Sequence, residues 1–556
     1  MKKFILRFSV AIFAFVILSL SVSAQSRTDV FAITNARIVP VAGPNIARGT
    51  VVIRSGLIEA VGENAKVPAD ARIIDGTGLV VYPGFFDAYT NLGIPAPTPT
   101  PQRIQGQPQT QTQPQTQNQP PSNSNYPDGL RAEESAAEKL KAGEAQFETN
   151  RNVGFTTALT VSKDGIFNGQ SAVVNLAGDS VSAMIIRAPF AEHITFTTLR
   201  GGQYPTSLLG TFSALRQMFL DAQRLQTIQK MYEKDPRGLK RPEDDKSLQA
   251  LFSILNGEMP VVFNANKEIE IIRALDLARE FNLKAIIAGG QEAWKVAGRL
   301  KAQNVPVLLS LDFPKRTASA SAEADPEPIE LLRLRAETPK TATKLAQAGV
   351  KFAFQSGGMK NITDFLTNAN EAVKNGLNKT DAIRAMTLSP AEIFGVENRL
   401  GSIEKGKIAN LVVVKGDVFD KSKVITQVFV DGKLFEPKAP PKPDGKTPTG
   451  TTQPGTAAIV GGNYSINVEI PGQPIQGTLN LTQQNENLTG TFQSQLGNVP
   501  IKDGRVTAEG FSFTVTVDFG GSEYDVLVKG TVSGNQISGT FTSPQGAVPF
   551  SGTKTP

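Results

Sequence analysis

The chain reads as an α/β protein with all-β parts beside it, and three observations carry that reading. Strand-like and helical patterns alternate through the middle of the chain. Short, glycine-punctuated strands stand on both sides of that body. The C-terminal segment alternates polar and apolar residues with period two almost throughout. Alternation of the first kind builds either a (β/α)8 barrel or a doubly wound sheet.

Composition narrows the chemistry. The chain has 556 residues, 40% of them hydrophobic and 19% charged, enough to build ordinary cores. The net charge is +6, without a dense basic segment, so no nucleic-acid partner is expected. Cysteine is absent. That excludes a disulfide framework, thiolate metal sites and a cysteine nucleophile. There is one histidine, His193, so a Ser-His-Asp triad has only that residue to use.

The elements follow in order. Lys2, Lys3 and Arg7 precede an apolar run of nine residues, 10–18, and Val22-Ser23-Ala24 is a small-residue cleavage pattern. Residues 1–24 therefore read as a signal peptide, and the expected location is exported, periplasmic or secreted. The run is too short to span comfortably, so no transmembrane anchor is expected in the mature protein. Runs 30–41, 50–61 and 71–81, broken by glycines, predict hairpins. Strands are predicted at 155–161, 172–176, 183–186, 260–263, 284–287, 306–311 and 350–355. Helices are predicted at 208–229, 267–281, 291–302, 339–348 and 362–374. Strand patterns return at 409–414 and 424–430, and Asp431-Gly432 makes a hairpin turn into Lys433-Leu434-Phe435. Strands at both ends of the body predict one composite sheet from residues 25–82 and 396–436. Residues 95–127 are Pro/Gln-rich and predict a disordered insertion, and 437–460 a linker. Residues 461–556 predict an antiparallel barrel or sandwich.

Val80-Val81-Tyr82-Pro83-Gly84-Phe85-Phe86-Asp87-Ala88 closely resembles the first barrel strand of the amidohydrolase superfamily, as in its imidazolonepropionase, dihydroorotase and hydantoinase group. Thr34 to Ile38, Gly49 to Ile53, Gly56 to Gly62 and Ile74 to Gly78 look like its N-terminal strands. Ala382 to Ala391 is similar to its last helix, and Gly401 to Val413 to its closing strands. The likeness implies a TIM-like (β/α)8 barrel over residues 83–395.

The resemblance also implies metal-assisted hydrolysis of a non-peptide carbon–nitrogen bond, with zinc or another divalent ion lowering the pKa of a bound water. The family's ligands are two histidines after strand one, a histidine after each of two middle strands and a final aspartate. The matching positions here are Tyr89, Asn91, Asn264, Gly289 and Gly357. None is a histidine or a carboxylate, so no metal is expected. Period-two alternation places Asp87 on the same face as Tyr89 and Asn91, deeper in the barrel. Asp87, His193 and Ser356 are the remaining candidates for a pocket. Ser356 precedes two glycines but stands in no Gly-x-Ser-x-Gly elbow. His193, read as lying between a strand and a Gly-rich turn, is expected to be a loop or core histidine satisfied by hydrogen bonds.

The resulting expectation is an exported amidohydrolase-family protein without metal, acting as a binding or partner protein through a small-molecule ligand at the barrel mouth or a protein partner. One alternative is a hydrolase of non-peptide C–N bonds in cyclic amides or related compounds, working with a metal supplied by a partner subunit or, without metal, through residues such as Tyr89, Asn264 and His193. Another is a cell-envelope attachment protein acting through its C-terminal module.

Overall fold

The structure, a computed structural model, describes residues 30–95, 126–437 and 460–555, apart from short stretches at 144, 200–202, 316–327, 360, 469–474, 495–496, 508–509, 520–521 and 544–545. The expected signal peptide lies outside the described residues, as does nearly all of the Pro/Gln-rich insertion and of the linker. Two compact units divide after Pro440.

The first unit starts with β1 (Phe31–Ile38), β2 (Ile46–Arg54), β3 (Leu57–Gly62), β4 (Arg72–Asp75) and β5 (Leu79–Pro83). The barrel strands follow: β6 (Phe85–Thr90), β7 (Phe155–Thr160), β8 (Phe167–Gln170), β9 (Ala172–Asn175), β10 (Ile185–Arg187) and β11 (Glu192–Thr195). Then come β12 (Val261–Ala265), β13 (Ala285–Gly289), β14 (Val307–Ser310) and β15 (Phe352–Gln355). The unit closes with β16 (Leu411–Lys415), β17 (Val424–Val430) and β18 (Lys433–Phe435).

Strands from both flanks share one sheet in the order β18-β17-β16-β5-β1-β2-β3, with β4 beside β1. The β17–β18 turn is the one predicted: Asp431 and Gly432 both hold positive φ, 52° and 72°, as a two-residue hairpin loop of this hand requires. Asn410 ties this sheet to the barrel. Its side chain donates to Thr157 Oγ1 at 3.0 Å and Asn175 Oδ1 at 2.8 Å, and accepts the Asp431 N–H at 2.8 Å.

In the barrel, β11 to β15 pair in parallel, and β6 pairs in parallel with β7. The chain from β8 through β9 runs antiparallel to both neighbours, β8 against β11 and β9 against β7. It kinks at Ser171, whose N–H donates to the Ala191 carbonyl while its own carbonyl accepts the Phe190 N–H, both at 2.9 Å. β15 packs beside β6, but among the described residues no backbone ladder joins them.

Alternation along these strands sorts the core into two layers. Val262, Ile286, Ala288, Leu308 and Ala353 face inward, with Phe394 and Leu400 in the same cluster. Val261, Phe263, Ile287, Leu309 and Phe354 face outward against the helices, where Phe155 meets Phe365 edge-on at 4.7 Å. Both faces of the strands are buried, which is why they read as continuous apolar runs.

Residues 172–176 form the predicted strand, antiparallel to its neighbours. Two sequence expectations are corrected here. Residues 183–186 are split between a helical turn, Val181–Met184, and β10, because the Ser180 side chain caps that turn by accepting the Ala183 N–H at 3.4 Å. His193 lies within strand β11, not between a strand and a turn.

The second unit is a closed barrel of eight antiparallel strands: β19 (Gly462–Val468), β20 (Ile475–Gln484), β21 (Asn487–Ser494), β22 (Gly497–Thr507), β23 (Gly510–Phe519), β24 (Ser522–Ser533), β25 (Gln536–Ser543) and β26 (Gly546–Thr555). Closure pairs β26 with β19, which leaves no open edge. Tyr464, Phe492, Phe513, Phe541 and Phe550 fill its interior. The Tyr464 hydroxyl donates to the Val460 carbonyl at 2.9 Å. Among the described residues, no helix is long and apolar enough to cross a membrane.

Candidate functional site

Residues at the C-terminal ends of parallel barrel strands converge on one mouth, which makes that mouth the candidate site. Asp87 on β6 is fully buried. Its Oδ1 accepts the Ser356 N–H at 2.9 Å and its Oδ2 accepts the Ser356 hydroxyl at 2.5 Å. The Tyr89 N–H adds a longer contact at 3.4 Å. Burial raises the Asp87 pKa, opposed by these hydrogen bonds and by the charge of Lys163. The pair spans the place where β6 and β15 lack a backbone ladder, so a side chain joins the two strands there.

Tyr89 and His193 stack face to face, 5.5 Å between ring centres and 17° between planes. Both are buried. Neither ring nitrogen of His193 meets a hydrogen-bond partner among the described residues, so the expectation of a hydrogen-bonded histidine is corrected. Burial lowers its pKa from the ordinary 6.5 to about 3, and pushes the Tyr89 phenol up to about 12. At neutral pH both rings are uncharged, which suits a floor better than an acid–base pair.

The expected alternation fails at β6. Phe86, Ala88 and Tyr89 share the inner cluster, and the ladder to β7 slips between Asp87 and Thr90. A bulge of this kind turns Asp87 toward β15 and Tyr89 toward β11. Asn91 follows the strand and is exposed. Asn264 on β12 stands one inward position beyond Val262, in register with Thr195 and Ala288. It is half-buried, and its carboxamide makes no hydrogen bond among the described residues.

Gly289 and Gly357 end β13 and follow β15 with φ of +93° and +65°. A Cβ at Gly289 would stand 2.4 Å from Asn266 Oδ1. One at Gly357 would stand 2.8 Å from Gln355 Oε1 and 2.9 Å from Ser310 Oγ. Asn266 is held there because the Glu270 carboxylate accepts the N–H groups of Asn266 and Lys267, at 2.9 and 3.1 Å, at the start of the helix Glu268–Glu280. Both positions are therefore built for glycine.

Sequence reasoning missed Lys163 and Asp312. Lys163 follows the end of β7. Its ammonium donates to the Gly357 carbonyl at 2.7 Å and lies 5.4 Å from the centre of the Tyr89 ring. Asp312 follows β14, its N–H donating to Ser310 Oγ at 3.1 Å. The signal was available: a charged residue just past a barrel strand belongs to the mouth.

A barrel carrying a sheet built from both chain flanks, with its polar residues gathered at the strand ends, defines the class of fold to which metal-dependent hydrolases of the TIM-barrel type belong. Residues 313–435 match the model of the Amidohydrolase family. An amidohydrolase from Thermotoga maritima shares the fold, with a TM-score of 0.60 and 24% identity over 73% of this chain and 100% of that one. N-acetylglucosamine-6-phosphate deacetylase of Haemophilus influenzae is 45% identical over 81 residues, 15% of this chain and 19% of that protein. Dihydroorotase of Anaeromyxobacter dehalogenans is 38% identical over 68 residues, 12% of this chain and 16% of that protein. The chain thus spans less than a fifth of these curated relatives. The family model and the curated relatives each match only part of this chain, and the solved structure shares its fold.

The superfamily's divalent metal does not fit the residues present. Tyr89, Asn91, Asn264, Gly289 and Gly357 supply neither imidazole nor carboxylate, and the two glycines hold a positive φ that strains any L side chain. Among the described residues, no group of three or more His, Asp or Glu side chains is placed to hold an ion.

Proposed function

We propose that the barrel handles a small compound with a non-peptide carbon–nitrogen bond, and does so without a metal at the superfamily's ligand positions. Hydrolysis of that bond is the activity the relatives support, since those matched are named a deacetylase, a deaminase and a dihydroorotase. The observation that carries the reading is the polar set at the mouth: Asp87 bonded to the Ser356 hydroxyl at 2.5 Å, with the Lys163 ammonium beside them. In such a site Asp87 accepts a proton from the Ser356 hydroxyl. The Lys163 ammonium attracts the negative charge of a bound substrate. Tyr89 and His193, named among the sequence-based catalytic candidates, serve this reading as the uncharged floor.

One observation favours a second reading, binding without turnover. Glycine geometry at Gly289 and Gly357 removes two ligand positions at the level of the backbone, beyond what a change of side chain would do. Export belongs to the proposal and rests on residues 1–24. A protein partner and a role for the C-terminal barrel in attachment are proposals of the same kind.

The test is a panel of cyclic amides and N-acetylated small molecules, followed for product release and for saturable binding. Turnover that persists in chelator and is lost in Asp87→Asn supports the hydrolase reading. Saturable binding with no turnover supports the second. A protein that neither binds nor converts any member of the panel would overturn both.

A further inference from the structure

We infer that Lys163 is the anchor for the carboxylate of a small, amide-bearing acid, a built-in cation at the mouth where related barrels would hold a metal. The inference rests on the reading of the mouth as a small-molecule site and deepens it by naming the ligand class.

Three observations converge. First, the Lys163 ammonium is attached to the barrel only through uncharged groups. It donates to the Gly357 carbonyl at 2.7 Å and lies over the Tyr89 ring. Among the described residues it forms no ion pair, whereas Arg54, Arg216, Lys315 and Lys379 each pair with a carboxylate. An ammonium has three N–H donors, and one is used. Second, the carboxylate nearest in effect, Asp87, already has its oxygens engaged by the N–H and hydroxyl of Ser356. Its charge opposes that of Lys163 through space, but it leaves the lysine's remaining donors free. Third, the position is the telling one. Gly357 stands at the place matched to the family's final aspartate, and Tyr89 at a place matched to its first histidine pair. The lysine reaches from the end of β7 across both, so a positive charge sits at the rim although the metal ligands are gone.

The rest of the mouth fits the other half of such a ligand. The Tyr89–His193 stack gives a flat, uncharged floor. The Asn264 carboxamide, on the inner face of β12, offers one donor group and one acceptor to an amide. A carboxylate on Lys163 with an amide reaching Asn264 uses both groups that the protein itself leaves open. A charge-assisted hydrogen bond in a partly desolvated mouth is stronger than a neutral one, so the carboxylate dominates the preference.

The experiment uses the full chain and two probes of nearly equal shape, N-acetylglycine and its neutral amide, N-acetylglycinamide. Affinities are measured by calorimetry or ligand-observed NMR at pH 7. The unmodified protein is expected to prefer the acid by about tenfold or more. Lys163→Met abolishes that preference, Lys163→Arg keeps most of it, and Asn264→Leu weakens both probes alike. Thermal melting of each variant shows that it is folded. Equal affinity for the two probes, a preference that survives Lys163→Met, or no saturable binding of either overturns the carboxylate anchor. If both probes bind equally, the mouth remains a small-molecule site and only the anchor falls. If the wider panel of amides also fails, the reading of the mouth itself falls.

Discussion

Asp87 and Ser356 meet where the barrel lacks a backbone ladder, and the cost of breaking their contact follows from that place. Truncating the carboxylate leaves the Ser356 N–H and hydroxyl unpaired in a buried site, so Asp87→Ala is expected to cost about 3 kcal/mol. Ser356→Ala removes one bond and keeps the N–H, and should cost about half as much. Denaturant melts of the two variants measure both, and a reversed order would show that the hydroxyl, not the carboxylate, holds the seam. His193 gives a pH prediction. Its folded pKa of about 3 lies below the ordinary 6.5. The unfolded chain therefore binds a proton that the native state refuses. The stability from neutral burial is complete above pH 6.5 and is lost as pH falls toward 3, at about 1.4 kcal/mol per unit. His193→Phe keeps a ring against Tyr89 and should flatten that acid limb between pH 6.5 and 3. An unchanged limb would mean that His193 protonates in the folded protein. At this scale the sequence shows the residue types at the matched positions but not what surrounds them. Lys163 carries no motif, and its meaning appears only when the end of β7 is brought beside Gly357.

Among the elements, the strand ends decide what the mouth can hold. Gly357 takes φ +65°, and an L-residue in that region costs about 1–2 kcal/mol before any clash. A Cβ there also meets Gln355 and Ser310. Restoring the family's aspartate as Gly357→Asp should therefore lower the melting temperature by several degrees, while Gly358→Asp, at a glycine whose would-be Cβ has Asp312 Oδ2 at 3.9 Å as its nearest neighbour, should be milder. Equal melting of the two would remove the backbone argument. Tyr89→His with Asn91→His should not create a metal site, because Asn91 is exposed and the other ligands remain absent. The apolar strands β12 to β15 were legible because both their faces are buried. β8 and β11 were not. Phe-Asn-Gly-Gln has the composition of a turn, and Glu192-His193-Ile194-Thr195 has two titratable residues in four. Pairing with neighbours makes them strands, against their local propensity. The bulge in β6 was hidden for the same reason, since strict alternation assumes a regular ladder.

For the whole molecule, the division after Pro440 predicts independent folding of the C-terminal barrel, whose aromatic core is built from its own residues. Limited proteolysis should cut within residues 437–460 and release a fragment that keeps a cooperative melt. Release of a fragment that unfolds at once would make the second unit dependent on the first. If residues 1–24 direct export, mass spectrometry of the secreted protein should find Gln25 at its N-terminus, and an intact Met1 would argue against it. The order of units and the composite sheet were readable because several motifs recur in sequence from residue 30 to 435. The function was less so, because the positions matched to the family's ligands carry Tyr89, Asn91, Asn264, Gly289 and Gly357, which name no chemistry by themselves. The central claim is that the mouth works without a metal at those positions. The most direct test is the metal content of the purified full-length protein, read together with turnover before and after chelation. The account predicts no stoichiometric zinc, manganese or iron, and any turnover of a C–N-bonded substrate unchanged by chelator. One tightly held metal per chain, with turnover abolished by chelator and restored by adding that metal, would contradict it.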